Sequence, residues 1–296
     1  MIKVVFFGTD NISVPTLRAL IDDNRYEVVG VVTKPDAVKG RRGHQLDSPE
    51  VAKIARAHNI ALFQPPKLAD IADELKSLPA DIGVLVSYGK IIPATVIDIF
   101  PHGIVNFHPS MLPVYRGPSP IETAIMHGDS FTGLSLMALS PTMDAGDVYY
   151  QEKITINPDA TTADLYHQFG QRGAELVTDK LEQIVAGKLV GIPQDDDLAI
   201  YCHLLTKADG DLNPSTMTAR DCYNRWRAIG ATIKCRIQLA RTTVIVSQLK
   251  PLDNFAGDSW DDIIPCQGNS AIQLIEIISP KSGKKMKVAD YLNGLK

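Results

Sequence analysis

The sequence predicts an α/β protein, a Rossmann-like doubly wound and mostly parallel sheet followed by a small β-barrel domain. Three observations predict it. Over residues 1–190, apolar runs of strand length alternate with amphipathic segments of helical period. Beyond about residue 205 the pattern changes to alternating runs separated by turn-rich segments. The length of 296 residues, 45% of them hydrophobic, suits two cores better than one.

Taken in order, Lys3 to Gly8 reads as a buried strand and Pro15 to Asp22 as a helix. Val28 to Thr33 reads as a strand and Pro49 to His58 as a helix, after which Ile82 to Ser87 and Gly103 to Phe107 give further strands. Right-handed crossovers turn such a series into a mostly parallel sheet with helices on both faces. The first turn, Gly8-Thr9-Asp10-Asn11, lacks the second and third glycines of a dinucleotide fingerprint, so NAD is not expected there. Gly133 to Leu139 reads as a strand and Thr162 to Ala186 as a helix. Gly187 to Pro193 and the acidic run Asp195 to Asp197 have linker character, which sets the first domain at 1–204 and the second at 205–296. In the second, Arg220 to Ala228 reads as a helix, while Thr232 to Leu239, Thr243 to Gln248 and Ala271 to Ile278 read as barrel strands.

The chemistry concentrates between Gly103 and Ile121. Asn106 and His108 stand at i and i+2 at the end of an apolar strand, a spacing that turns both side chains to one face. Pro113, Gly117, Pro118 and Pro120 then give the chain a stiff loop that is neither helix nor central strand. Ligands of open α/β sheets bind at that end of the strands. The third candidate is Asp144, in the turn from Pro141 to Asp147. A carboxylate there would orient the imidazole and fix its tautomer, while the Asn106 amide donates to an oxyanion; together they suit acyl transfer without a covalent enzyme intermediate. The region holds no GxSxG elbow and no cysteine, which argues against an acyl-enzyme.

Asn106-Phe107-His108, Ser110-Met111-Leu112-Pro113 and Asp144-Ala145-Gly146-Asp147 resemble the signature of the formyltransferase family that uses 10-formyltetrahydrofolate. The resemblance implies formyl transfer from that donor to an amine, with Asn106, His108 and Asp144 catalytic and no metal, and it implies that the C-terminal barrel is an OB-like domain. It also implies folate along Ser110, Met111, Leu112 and Pro113 and beside the loop of Tyr88. Three flanks, Phe6 to Asp10, Thr33 to Pro65 and Tyr115 to Ile121, look like the branch that formylates initiator methionyl-tRNA, and the likeness runs nearly end to end. In that branch the loop matching Lys39 to His44 enters the tRNA acceptor arm, so Arg41 and Arg42 are expected on tRNA phosphates or an unpaired base. Arg116 either holds an acidic group of a substrate or stabilises its own loop. The C-terminal part departs from the pattern: Arg227 to Gly230 stands where a Pro-Trp-Pro-like turn is common, and Asp211-Leu212-Asn213 replaces Ile-Asp-Trp. An amino sugar nucleotide as acceptor, or RNA binding without turnover, are the competing readings.

Charge separates along the chain. Residues 1–204 carry 17 Lys and Arg against 25 Asp and Glu, a net of −8, whereas 205–296 carry 13 against 9, a net of +4. A basic C-terminal domain suits a polyanionic acceptor. Cys202, Cys222, Cys235 and Cys266 show no CxxC spacing and read as reduced structural thiols. With no signal peptide or apolar span in view, a monomeric cytoplasmic enzyme is expected.

Overall fold

The computed structural model describes residues 1–38, 46–239, 242–255, 257 and 261–294. In chain order the elements begin with β1 (Ile2–Gly8), α1 (Val14–Asp22) and β2 (Tyr26–Val32). The two-residue strands β3 (Ala37–Val38) and β4 (Leu46–Asp47) come next, then α2 (Glu50–Ala57), β5 (Ala61–Phe63), α3 (Ala72–Ser77) and β6 (Ile82–Val86). After them stand α4 (Ala94–Ile97), β7 (Ile104–His108), α5 (Pro120–His127), β8 (Phe131–Ala138), β9 (Val148–Thr155) and α6 (Thr162–Val185). The chain closes with α7 (Ala219–Ile229), β10 (Arg236–Leu239), β11 (Thr242–Leu252), β12 (Ile263–Cys266), β13 (Ser270–Ile278), β14 (Lys285–Lys287) and α8 (Val288–Asn293). They form two compact units: residues 1–118, 132–154 and 166–201 make the first, and 119–131, 155–165 and 202–296 the second.

The first unit is built on a seven-stranded sheet in the order β5-β2-β1-β6-β7-β8-β9. From β5 to β7 neighbouring strands run parallel, and β8 joins β7 antiparallel. Strand order reverses direction between β1 and β6, the switch point of a Rossmann-like sheet. Val4 to Phe7 are wholly buried, as continuous apolar strands must be when both faces are covered. On one side Phe7 meets Tyr88 and Phe100 edge to face, with ring centres 6.1 and 6.0 Å apart.

The second unit holds a curled five-stranded antiparallel half-barrel, β10-β11-β13-β12 with β14 also on β13. Helix α7 starts in a capping box, the Thr218 hydroxyl accepting from the Asp221 amide while the Asp221 carboxylate accepts from that of Thr218. Its buried Arg227 donates to Asn224 Oδ1 at 2.9 Å and to the carbonyls of Ala160 and Ile125 at 2.8 and 3.4 Å, tying α7 to α5 and to the segment before α6. Gly128 ends α5 at φ +73°, where a Cβ would stand 2.7 Å from Asn224 Nδ2; both conformation and space require glycine.

Three boundaries differ from the sequence expectation. Pro120 opens α5 instead of extending the loop, because proline at N1 lacks only an N–H that the first turn leaves unpaired anyway. The strand expected from Thr232 begins at Arg236, since Thr232 and Ile233 wind back onto the carbonyl of Ile229 and Lys234 turns at φ +68°. In the other direction, β11 continues past Gln248 to Leu252, still paired with β13 after a register shift at Gln248.

Candidate active site

Strand β7 lies between β6 and β8, where Asn106 is opposite Leu85 and Met137 and His108 is opposite Ser135. Between them Phe107 faces the other side of the sheet, and its ring lies where a Cβ on Gly173 of α6 would come within 2.8 Å. The close approach of α6 fixes the strand that carries the polar pair. Both polar side chains are about 5% exposed.

His108 is fixed from one side by the backbone. Its Nε2 lies 2.9 Å from the carbonyl oxygen of Tyr115, a residue held at φ +60°. A carbonyl can only accept, so Nε2 carries a proton and Nδ1 is the nitrogen left to act. Nδ1 is 3.7 Å from Asp144 Oδ2, an ion-pair distance beyond direct hydrogen bonding. That same oxygen accepts from the backbone N–H of Gly117 at 2.8 Å. Asn106 is the contrast: among the described residues its carboxamide has no hydrogen-bond partner, although it is almost wholly buried. Its polar atoms are not among the fully enclosed ones, so the amide is open to a ligand.

Asp144 sits at φ +49° in a turn closed by the Ala138 N–H donating to the Asp147 carbonyl at 2.8 Å. A Cβ on Gly146 would stand 1.9 Å from the carbonyl oxygen of Ala138, so the turn requires glycine there. Gln194 reaches the same turn, donating through Nε2 to the carbonyls of Asp144 and Gly146 at 2.9 and 2.7 Å.

The remaining sequence candidates fall into three groups. Ser110 and Leu112 are buried and belong to a self-bonded loop: Ser110 Oγ donates to the Val114 carbonyl, Ser135 Oγ to the Ser110 carbonyl, and Gln151 Nε2 to the Leu112 carbonyl. Met111 packs its thioether where Gly133 leaves space, and Pro113, joined to Leu112 by a cis peptide bond, is half-buried. The Tyr88 side chain lies in the core, where burial pushes its hydroxyl up to about 12, and the backbone carbonyl of its loop accepts from Thr9 Oγ1 at 3.0 Å. Arg116 is turned inward. Its guanidinium is about 1% exposed and engages Gln194, the Tyr201 hydroxyl and Asp196. Arg41 and Arg42 lie outside the described residues. Sequence reasoning missed the Tyr115 carbonyl, the Gly117 amide and Gln194.

An unpartnered amide beside an imidazole with one free nitrogen, backed by a carboxylate, is equipped to stabilise an oxyanion and move a proton. Comparison with known proteins agrees with that chemistry. The chain is 33% identical to methionyl-tRNA formyltransferase of Sulfurihydrogenibium sp., covering 99% of this chain and 97% of that one. It is 39% identical to the protein of the same name from Geobacter sulfurreducens over 71% of this chain and 66% of that one. Among solved structures, an N-formyltransferase from Helicobacter canadensis with folinic acid and dTDP-3-aminofucose superposes with a TM-score of 0.72. The alignment covers 93% of this chain and 99% of that one, at 19% identity, and shows a shared fold. Residues 2–181 match the formyl transferase family, and the chain belongs to it.

Proposed function

We propose that this enzyme transfers the formyl group of 10-formyltetrahydrofolate to the α-amino group of methionyl-tRNA, in the cytoplasm, using Asn106, His108 and Asp144. The observation that carries the acceptor is the reach of the similarity: relatives named methionyl-tRNA formyltransferase align over 97% of their own length, including the C-terminal part beyond the family match at residue 181. The solved neighbours that act on sugars share the fold at 19% identity, which leaves the acceptor to the closer sequences.

The neutral amine attacks the formyl carbon. As the formyl oxygen gains charge it takes one hydrogen bond from Asn106 Nδ2 and one from Nδ1–H of protonated His108, because Nε2–H is already committed to the Tyr115 carbonyl. Asp144 balances the imidazolium from 3.7 Å, and in this reading a water beside the carboxylate accepts the proton of the attacking nitrogen. The oxyanion then collapses to the carbonyl and the C–N bond to folate N10 breaks as that nitrogen takes up the proton passed on by the water. In this reading Arg41, Arg42 and the basic stretch of residues 205–296 hold the tRNA backbone. Radiolabelled formyl transfer, measured side by side on Met-tRNA and on nucleotide-linked amino sugars, tests the assignment. Transfer to the sugars but not to Met-tRNA overturns it.

A further inference from the structure

A stretch of chain from Ile192 to Tyr201 straps the two loops that make the site. At one end Ile192 and Val148 exchange backbone hydrogen bonds of 2.8 and 2.9 Å. At the other, the Ile200 N–H donates to the Pro113 carbonyl at 3.1 Å and the Arg116 N–H to the Ile200 carbonyl at 2.8 Å. Between these anchors Gln194 uses both of its polar atoms on the two loops. Its Nε2 donates to the carbonyls of Asp144 and Gly146, at 2.9 and 2.7 Å, and its Oε1 accepts from Nε of Arg116 at 3.0 Å.

Each contact leads to a group at the site. Asp144 stands at φ +49°, in the left-handed region that aspartate enters more readily than most residues with a Cβ. Gln194 bonds the carbonyl of that residue and the carbonyl two residues on. Arg116 lies between Tyr115, whose carbonyl fixes His108, and Gly117, whose N–H fixes Asp144 Oδ2. The guanidinium is itself anchored by Asp196 at 2.8 Å and the Tyr201 hydroxyl at 3.1 Å, both on the strap. One amide therefore joins the loop that bears the carboxylate to the loop that orients both partners.

We propose that Gln194 is a positioning residue for formyl transfer: it holds the Asp144 turn against the Tyr115–Gly117 loop and so sets the approach of Asp144 to His108 Nδ1. The inference rests on the roles of His108 and Asp144 proposed above. Gln194 touches neither substrate nor reacting atoms in this reading, so its removal acts on turnover more than on capture.

The test is a double-mutant cycle with steady-state formylation of Met-tRNA. Gln194→Met keeps the volume and removes all three hydrogen bonds; kcat should fall about 10- to 100-fold, the scale of a misplacement near 1 Å, with KM for either substrate changing less than about threefold. Gln194→Glu keeps the acceptor for Arg116 and removes the two donors, so it should fold like the parent and lose kcat similarly. In a His108→Ala background neither change should lower kcat further, because a group that acts through His108 has no independent effect once His108 is gone. Retention of kcat by Gln194→Glu, or losses that simply multiply in the double variants, overturns the proposal. The underlying reading fails separately, when His108→Ala alone leaves turnover intact. Should the parent enzyme refuse Met-tRNA, the same ratios are read with a nucleotide-linked amino sugar, which judges Gln194 independently of the acceptor.

Discussion

At the residue scale, the Tyr115 carbonyl decides which nitrogen of His108 can act. Because Nε2 is occupied at 2.9 Å, both neutral and charged forms keep a proton there and exchange the other through Nδ1. His108→Ala and Asn106→Ala are each expected to lower kcat by about two to four orders of magnitude, with folate affinity largely kept. Single-turnover formylation together with a folate-binding titration checks both halves of that statement. Gly146→Ala makes a sharper geometric test, since the new methyl carbon would stand 1.9 Å from the Ala138 carbonyl. The turn must shift, costing about 1–3 kcal/mol in chemical denaturation, and activity should fall by more than the lost folded fraction explains. Asn106 and His108 could be read as a pair from strand spacing alone, and Asp144 from the turn that resembles the family's. The Tyr115 carbonyl and the Gly117 amide could not: backbone groups have no signature in the one-letter code. Nor could Gln194, which meets Asp144 across 50 positions and whose type says nothing of its partners.

At the scale of elements, the parallel strands were legible because a strand buried on both faces is a continuous apolar run. Helix α5 was hidden by its own first residue, a proline that reads as a breaker and serves as N1. The start of β10 was hidden by Lys234, which turns at positive φ without being glycine. Arg227, a departure from the turn common in the family, has a structural use: it joins α7 to α5 through the Ile125 carbonyl and to the segment before α6 through that of Ala160, with burial pulling its pKa below the usual arginine range. Arg227→Met should cost about 1–3 kcal/mol in urea unfolding, because two carbonyls and the Asn224 amide oxygen lose their donor inside the second unit. The capping box of Thr206 and Asp209, around the short 3-10 turn Lys207–Gly210, predicts acid sensitivity. Burial alone would raise Asp209, but the Thr206 N–H, His203 and the Thr206 hydroxyl outweigh it and hold the carboxyl at about 2. A depressed carboxyl stabilises the fold above its unfolded value of 3.8 and ceases to as pH falls through about 2. Asp209→Asn should flatten the fall in melting temperature across that window, an effect on the order of 1 kcal/mol after discounting for partial exposure.

At the scale of the whole molecule, net charges of −8 and +4 on the two sequence halves predict that salt acts on acceptor capture. KM for Met-tRNA should rise steeply between about 50 and 200 mM salt, the range over which phosphate contacts weaken, while KM for the folate changes little. Arg41→Ala with Arg42→Ala should raise KM for Met-tRNA and reduce the slope of log KM against log salt by up to about 2; an unchanged slope would place those arginines elsewhere. The halves read from charge and linker composition are simpler than the units the chain forms, because residues 119–131 and 155–165 belong with the C-terminal residues. Packing of α5 against α7 joins positions such as Ile125 and Arg227, 102 residues apart, and no local pattern reports a pairing that distant.

That interleaving has a consequence for synthesis. A ribosome delivers residues from the N-terminus, so the apolar side of α5, with Ile121, Ala124 and Ile125 buried in the finished protein, emerges long before α7 exists. The first unit has its last segment by residue 201, whereas α5, encoded within that stretch, waits about another 28 codons for Ile229. A nascent chain halted just after Leu204 should thus be cleaved by protease near α5 and be bound by chaperones, and one released beyond Ile229 and the half-barrel should resist both.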